Sequence, residues 1–414
     1  MKKITEVSVI GLGYIGLPTA LAIATKGIKV HGVDINPLLI KDLVAGEKDI
    51  VEVDLKRLLS RLFDKGLITF STKLKQADVF LICVQTPTSG ASHEPDLSFI
   101  DSAARSIAPF LKKGNLVILE STVPVGTTER LSGVLSKERP DLNFPNAENT
   151  DPDIGVAYCP ERVLPGNVFE ELRTNQRIIG GLSHRCSNSA REFFELFVDG
   201  ICHMSSNAKT AEMVKLVENS FRDVNIAFAN EIAMICDNLD VNESEVIKLC
   251  NHHPRVNILE PGIGVGGHCI PVDPYFIVNS SPKLSKIIKQ ARVVNQEREL
   301  YVYNKISEKI RLFNSWKYII CFGIAFKADV DDFRGSPAMR LFEKLRSDFG
   351  ERVIAVDPFV QENISLGKMR KIPGNINKEQ SIGLILVNHR DFRNTDNIGV
   401  EIIFDVRSKP SHLD

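Results

Sequence analysis

The sequence has almost no net charge. Its 51 lysines and arginines stand against 52 aspartates and glutamates, a balance of −1 over 414 residues. No overall basic field exists to hold nucleic acid or an anionic membrane surface, so an anionic ligand must be met by local positive groups. The chain also lacks a cysteine framework. Its eight cysteines, at 83, 159, 186, 202, 236, 250, 269 and 321, form no Cys-x-x-Cys pair, so neither a disulfide scaffold nor a zinc site is expected and the metal content is read as none. No apolar run reaches the length of a bilayer span. The uncharged stretch from Val7 to Thr25 has a superficial likeness to an export signal, but Gly11, Gly13, Gly16 and Pro18 would interrupt an apolar helix. A strand, a glycine turn and a helix account for it better, and the reducing cytoplasm is the expected compartment. With 43% hydrophobic and 25% charged residues, the chain reads as two or three ordinary globular domains.

The first part alternates strand and helix patterns. Val7 to Ile10, Lys29 to Val33, Val79 to Val84 and Leu116 to Leu119 read as strands, the last two as continuous apolar runs of the kind buried in parallel sheets. Short strands are expected at Val156 to Tyr158 and Arg177 to Gly180, and a helix at Asp101 to Leu111. Such alternation implies a doubly wound α/β sheet. The middle differs. From Ala208 to Asp237 there is neither Pro nor Gly, and Val214, Val217, Phe221, Val224, Phe228, Ile232 and Ile235 recur in steps of three and four, which predicts one long amphipathic helix. Further helices are expected at Glu243 to Cys250 and Ser285 to Tyr303, around a glycine-rich loop from Pro261 to Pro274. The last hundred residues repeat the first theme without a GxGxxG signature. Strands are expected at Tyr318 to Phe322, Val353 to Val356, Leu384 to Val387 and Ile402 to Val406, with a helix from Ser336 and Pro337 to about Phe349. The expected organisation is two doubly wound Rossmann-like domains, 1–204 and 311–414, joined by a helical region over 205–310.

Gly11, Gly13 and Gly16 follow a strand and open a helix. In that context the first glycine allows the tight turn, the second lets backbone approach a pyrophosphate, and the third lets helix pack on sheet, with free N–H groups and the positive end of the helix dipole facing the phosphates. Asp34 ends the second strand, 21 residues after Gly13. An acid there hydrogen-bonds a ribose 2′-hydroxyl and repels a 2′-phosphate, which favours NAD over NADP. The plainer alternative is a tight turn with a capping Asp. Gln85 to Thr88 and Glu120 to Thr127 end two further strands at the same crevice. Their hydroxyls suit ribose and phosphate, or serve as loop caps.

Residues 264–274, with Gly264, Gly266 and Gly267 ahead of Cys269 and Asp273 before Pro274, are the most informative stretch for chemistry. Glycines let a ligand approach the backbone closely, and a cysteine directly after them is placed as a nucleophile; the other seven read as inert, mostly buried thiols. Asp273 orients a water or a lysine, or caps its turn. Lys215 and Asn219 lie four apart on one face of the long helix, suited to stabilising an alkoxide, and Arg222 extends that polar surface. The alternative there is a solvated face with a Glu218–Arg222 pair. Glu161, in the turn-rich stretch 158–166, is a candidate base or water-positioning group, or a solvated acid.

Taken together, these segments resemble the UDP-glucose/UDP-mannuronate dehydrogenase family. GLGYIGLP (11–18), ESTVPVGT (120–127), KLVEN (215–219), GVGGHCIPVD (264–273) and GIAFKADVDDFRGSPA (323–338) match in order, and the resemblance covers essentially the whole chain. YCPERVLPG (158–166), SFRDVNIAFANE (220–231) and the stretch from His253 to Phe276 are most similar to the branch acting on UDP-N-acetylmannosamine. The UDP-glucose branch typically reads NPEFLAEG, from whose second acid Pro165 departs, and tends to carry Ser or Thr where His268 stands. The resemblance implies Cys269 as nucleophile, with Lys215, Asn219 and Asp273 supporting it and Glu161 and Thr122 handling water. It implies Arg162, Val163, Lys215, Asn219, Arg222, His253, Arg255, Gly266 and Lys327 as substrate contacts. Gly11, Gly13, Tyr14, Ile15, Gly16, Asp34, Thr86, Thr127 and Arg334 are implied as cofactor contacts. It further implies a homodimer in which Arg255 reaches the neighbouring site, and a final α/β domain that holds the uridine diphosphate. Neither nucleic acid nor membrane is expected as a partner. A single-step hydroxy-acid dehydrogenase would share the fingerprint but needs neither the glycine-flanked cysteine nor the second α/β domain. A non-catalytic NAD sensor would not need Cys269, Lys215 and Asp273 together. UDP-N-acetylglucosamine and UDP-glucose remain alternative substrates.

Overall fold

The computed structural model describes the chain except residues 1–2, 48–52, 91, 147–150, 164–167, 313–315, 361–367, 370–379, 393–399, 401 and 406–414. Pro165 and Val406 therefore lie outside the described residues. The chain packs as two compact units, Met1–Glu218 and Asn219–Asp414.

The first unit is built on a sheet whose strands are β1 (Glu6–Ile10), β2 (Lys29–Val33), β3 (Ile68–Ser71), β4 (Val79–Ile82), β7 (Leu116–Leu119), β8 (Gly155–Tyr158), β9 (Arg177–Gly181) and β10 (Cys202–Met204), with a small hairpin of β5 (Thr88–Ser89) and β6 (Glu94–Pro95) beside it. The order is β10-β9-β8-β7-β4-β1-β2-β3. The chain starts in the middle, winds out through β2 and β3, then returns through β4 to the other side, so the sheet reverses between β1 and β4. Open parallel sheets bind ligands at such a reversal, beyond the carboxyl ends of the strands. All pairings from β3 to β8 are parallel; β9 runs antiparallel to β8 and carries β10 parallel to itself. Alternation puts Val79 and Leu81 into one core and Phe80 and Ile82 into the other, which is why these strands read as unbroken apolar runs.

The second unit holds the larger part of the long helix, Ala208–Asn238, then Glu243–Cys250, Asp273–Ser280 and Lys286–Leu312. A parallel sheet of β11 (Tyr318–Phe322), β12 (Val353–Val356), β13 (Lys368–Met369), β14 (Ser381–Ile385) and β15 (Ile402–Asp405) follows, in the order β13-β12-β11-β14-β15. Strand β14 begins three residues earlier than its apolar run suggests. Ser381 pairs with Tyr318, and Gly383 with Ile320, so backbone pairing extends the strand past its apolar residues.

Part of the apolar stripe of the long helix faces outward, while polar side chains are buried. Val217, Phe221, Phe228 and Ile235 are exposed, Phe221 by 70%, whereas Asp223 and Asn230 are fully buried. The buried face is held by hydrogen bonds: Arg292 Nη1 donates to Asp223 Oδ1 at 2.6 Å, Asn295 Nδ2 to the same oxygen at 2.8 Å, and Asn230 Nδ2 to Asn295 Oδ1 at 2.9 Å. Among the described residues, no helix is long and apolar enough to cross a membrane.

Candidate active site

The glycine turn has the geometry its spacing predicts. A methyl group at Gly16 would lie 1.8 Å from the Gly11 carbonyl oxygen, so only glycine lets the first helix start this close to β1. At Gly13 an added methyl group would meet nothing within 4 Å, so that face of the turn is open to a ligand. Asp34 fixes the turn from the end of β2: one carboxylate oxygen accepts from Leu12 N–H and the other from Asn36 N–H, each at 2.9 Å. Asp34 is thus a brace for the loop at the end of β2. Tyr14 is exposed and Ile15 half-buried at the start of the helix. Thr86 Oγ1, just past β4, is buried with no hydrogen-bond partner among the described residues, which suits a hydroxyl awaiting a polar ligand group. These residues fit NAD.

The loop after β7 is tied down by an acid from the long helix. Glu212 is fully buried. Its Oε2 accepts from Gly126 N–H at 2.6 Å, and its Oε1 accepts from Thr128 N–H at 2.8 Å and Thr128 Oγ1–H at 2.6 Å. These satisfy the first turn of the Thr127–Glu138 helix. Burial holds the Glu212 carboxyl above its usual range, although the donors pull the other way. Thr127 itself donates to the Pro124 carbonyl at 2.6 Å, and Thr122 is half-buried upstream. Glu212→Ala leaves the buried N–H and hydroxyl of Thr128 and the partly buried Gly126 N–H unsatisfied, which costs about 1–3 kcal/mol. Thermal unfolding of this variant is expected several degrees below wild type, with Glu212→Gln between them; an unchanged transition would deny Glu212 this role.

Glu161 is 7% exposed, not solvated. Its Oε2 accepts from Arg177 Nη1 at 2.8 Å and its Oε1 from Arg162 N–H at 2.5 Å. The Arg162 guanidinium makes a two-pronged contact with Glu218, at 2.5 and 3.1 Å. Glu218 is therefore engaged by Arg162 rather than in the Glu218–Arg222 pair that spacing allows, and Arg222 is exposed. Val163 and Lys215 are half-buried.

In the second unit, Cys269 is half-buried and closes its turn through its own carbonyl, which accepts from Val272 N–H at 3.0 Å and Asp273 N–H at 2.8 Å. Asp273 is 4% exposed and starts a helix. Asn219 Nδ2 donates to its Oδ2 at 2.5 Å, so the long helix and the cysteine turn are joined by two of the expected residues. The glycines ahead of Cys269 lie against the segment after β11: a methyl group at Gly266 would meet Pro337 Cδ at 2.6 Å and Phe326 Cβ at 2.9 Å. His268 faces Asp332, with Nδ1 3.8 Å from Oδ2. Burial lowers the His268 pKa, reinforced by Arg334 and opposed by Asp332, so the imidazole is neutral at pH 7. Arg334 is anchored to Asp332 by two hydrogen bonds, at 2.9 and 2.7 Å. Lys327 is exposed, and His253 and Arg255 stand on an exposed turn after the Glu243–Cys250 helix.

Sequence reasoning passed over Glu120, Arg177 and Glu212. Two of them carried a signal: Glu120 directly follows an apolar strand, and Arg177 opens another, both positions where a charge is unexpected unless it has a partner.

A glycine turn of this kind at the switch point of a parallel sheet defines a dinucleotide-binding protein. Models of the UDP-glucose/GDP-mannose dehydrogenase family match it three times, as NAD binding domain over residues 5–198, central domain over 209–297 and UDP binding domain over 320–410. The chain belongs to this family. It is 49% identical to a UDP-N-acetyl-D-mannosamine dehydrogenase of Campylobacter jejuni, covering 95% of this chain and 97% of that one. It is 46% identical to an NDP-N-acetyl-D-galactosaminuronic acid dehydrogenase of Ralstonia nicotianae, covering 97% and 95%. Among solved structures, the UDP-D-ManNAc dehydrogenase of Pyrococcus horikoshii superimposes with a TM-score of 0.85 at 38% identity, covering 97% and 95%.

Proposed function

We propose that the protein oxidises the C6 hydroxymethyl group of UDP-N-acetyl-D-mannosamine to a carboxylate in two steps, through a thioester on Cys269. The observation that carries this is the cysteine turn, where a half-buried thiol follows a glycine pair and Asp273 in the same turn is bound to Asn219. NAD, when bound, supplies the hydride acceptor for both oxidations. After the first, the Cys269 thiolate adds to the C6 aldehyde, giving a thiohemiacetal whose oxyanion Lys215 stabilises. After the second, the thioester is attacked by a water that Glu161 and Thr122 position, releasing the acid and restoring the thiol. Asn219 and Asp273 hold the polar geometry at sulfur. Covalent capture keeps the aldehyde from escaping, and a free thiol fits the cytoplasm.

The sugar choice rests on the named relatives. Arg162, Val163, Arg222, His253, Arg255, Gly266 and Lys327 are the proposed substrate contacts. The proposed division is cofactor domain 1–204, catalytic and dimerisation region 205–310, and uridine diphosphate domain 311–414. A homodimer is supported by the apolar stripe of Phe221, Phe228, Ile235 and Leu239, which the chain leaves exposed. Arg255, on its exposed turn, is free to reach the other subunit.

The test is NADH formed per mole of UDP-N-acetylmannosamine, UDP-N-acetylgalactosamine, UDP-N-acetylglucosamine and UDP-glucose, with the molar mass followed by light scattering. Two NADH with the mannosamine sugar alone, from a particle of two chains, is expected. Two NADH with another sugar keeps the mechanism and replaces the substrate; the Ralstonia relative makes the galactosamine sugar the second reading. One NADH rejects the four-electron scheme.

A further inference from the structure

Beneath the proposed water-handling carboxylate lies a second acid with no part in that scheme. Glu120, at the carboxyl end of β7, is 2% exposed, and Arg177, at the start of β9, is 1% exposed. Arg177 Nη1 is 2.8 Å from Glu161 Oε2 and 3.5 Å from Glu120 Oε1. Two buried carboxyls thus share one guanidinium. The other groups around them leave the balance unchanged. Cys83, past the end of β4, donates its thiol hydrogen to Glu120 Oε2 at 3.1 Å, and its pKa is raised well above the usual value, by burial first and then by Glu120. Cys159, after β8, is buried with its thiol pushed up likewise by burial, and Cys202 on β10 is also raised by burial. Phe194 covers the Arg177 guanidinium at 5.6 Å. With both acids ionised the cluster would carry a net negative charge out of reach of water, so it keeps a proton. Burial, and then the Glu161 charge, push the Glu120 carboxyl up to about 8.

We propose that Glu120 is a positioning residue for Glu161: its protonated carboxyl leaves the Arg177 guanidinium to Glu161 and so holds the Glu161 side chain in place. Ionised Glu120 competes for Arg177 Nη1 and pulls it from Glu161, so the attacking water loses its orienting group. Cys83 Cβ also lies 3.1 Å from where a methyl group on Gly16 would sit, so the cluster abuts the cofactor turn. The inference rests on the proposed role of Glu161 in thioester hydrolysis.

The experiment follows decay of the Cys269-bound intermediate, by acid quench and intact mass, from pH 7 to 9 in wild type, Glu120→Gln and Glu161→Gln. Glutamine is neutral throughout. The ratio of the Glu120→Gln decay rate to that of wild type is expected to rise about tenfold across this range, as a group near pH 8 passes from mostly protonated to mostly ionised. A flat ratio, with decay slowed in Glu161→Gln, overturns the role of Glu120 alone. Unslowed decay in Glu161→Gln removes the reading of Glu161 itself, and with it this inference. Should Glu120→Gln fail to fold, infrared titration decides. A protonated-carboxyl band lost between pH 7 and 9 in wild type is expected, with its midpoint lowered in Glu161→Gln. No such band at pH 7, or an unmoved midpoint, overturns the proposal.

Discussion

Cys269→Ser is expected to lower steady-state turnover about a thousandfold or more while leaving NAD affinity within about twofold of wild type. The chemistry gives the reason. A thioester needs sulfur, and a thiol reaches its nucleophilic thiolate near neutral pH far more readily than a serine hydroxyl reaches its alkoxide. The cofactor crevice belongs to the first unit, braced by Asp34 on Leu12 and Asn36, and Cys269 belongs to the second. The backbone bonds that close the turn run from Val272 and Asp273 N–H to the carbonyl of residue 269, and these survive the replacement of sulfur by oxygen. Stopped-flow absorbance on enzyme with the nucleotide sugar would show at most one NADH per site, followed by near silence. Sustained production of two NADH per sugar in this variant would end the covalent mechanism and return the reaction to a free aldehyde.

Much of this site is legible in the sequence because its signals are local. The fingerprint needs Gly11, Gly13 and Gly16 at fixed spacing after a strand, and the cysteine turn needs Gly266 and Gly267 ahead of Cys269. The long helix, read as Ala208 to Asp237, runs to Asn238. The signals that failed depend on distant partners. Phe221, Phe228 and Ile235 of the apolar stripe are exposed, while Asp223 faces inward because Arg292 and Asn295 come from 69 and 72 positions away. Nothing near Asp223 announces those partners. Glu161 likewise resembles a solvated acid in a proline-rich turn until Arg177 arrives from β9. Apolar spacing records where a helix is greasy. It does not say whether the covering surface belongs to the same chain.

The buried polar face of the long helix also yields the largest stability effect expected here. Arg292→Met removes the only cation bonded to Asp223 among the described residues, where the two side chains are 5% and 0% exposed. Breaking a buried pair by deleting one partner costs about 3–5 kcal/mol, because the remaining charge is stranded. The loss is expected to depend on pH, with a definite sign. Burial raises the Asp223 carboxyl to about 6, against the opposing pull of Arg292 and Asn295. A carboxyl raised above its unfolded value favours the fold while it stays protonated, and that contribution fades as pH climbs through 6. Without Arg292 the folded pKa rises further, so the variant strands a charge at pH 8 but little at pH 5. Urea unfolding should therefore show the full deficit at pH 8 and a much smaller one at pH 5; equal deficits at both would mean that lost packing, not charge, is responsible. The consequence reaches the site. Asn230, in the same network, accepts from Gly262 N–H at 2.8 Å, and Arg298 Nε donates to the Gly262 carbonyl at 3.0 Å. Gly262 opens the loop that leads to Cys269. A helix interior of this polarity is weaker than a hydrocarbon one would be, but it fixes where that loop begins, so Arg292→Met is expected to lose turnover at pH 8 under conditions where most of the protein is still folded.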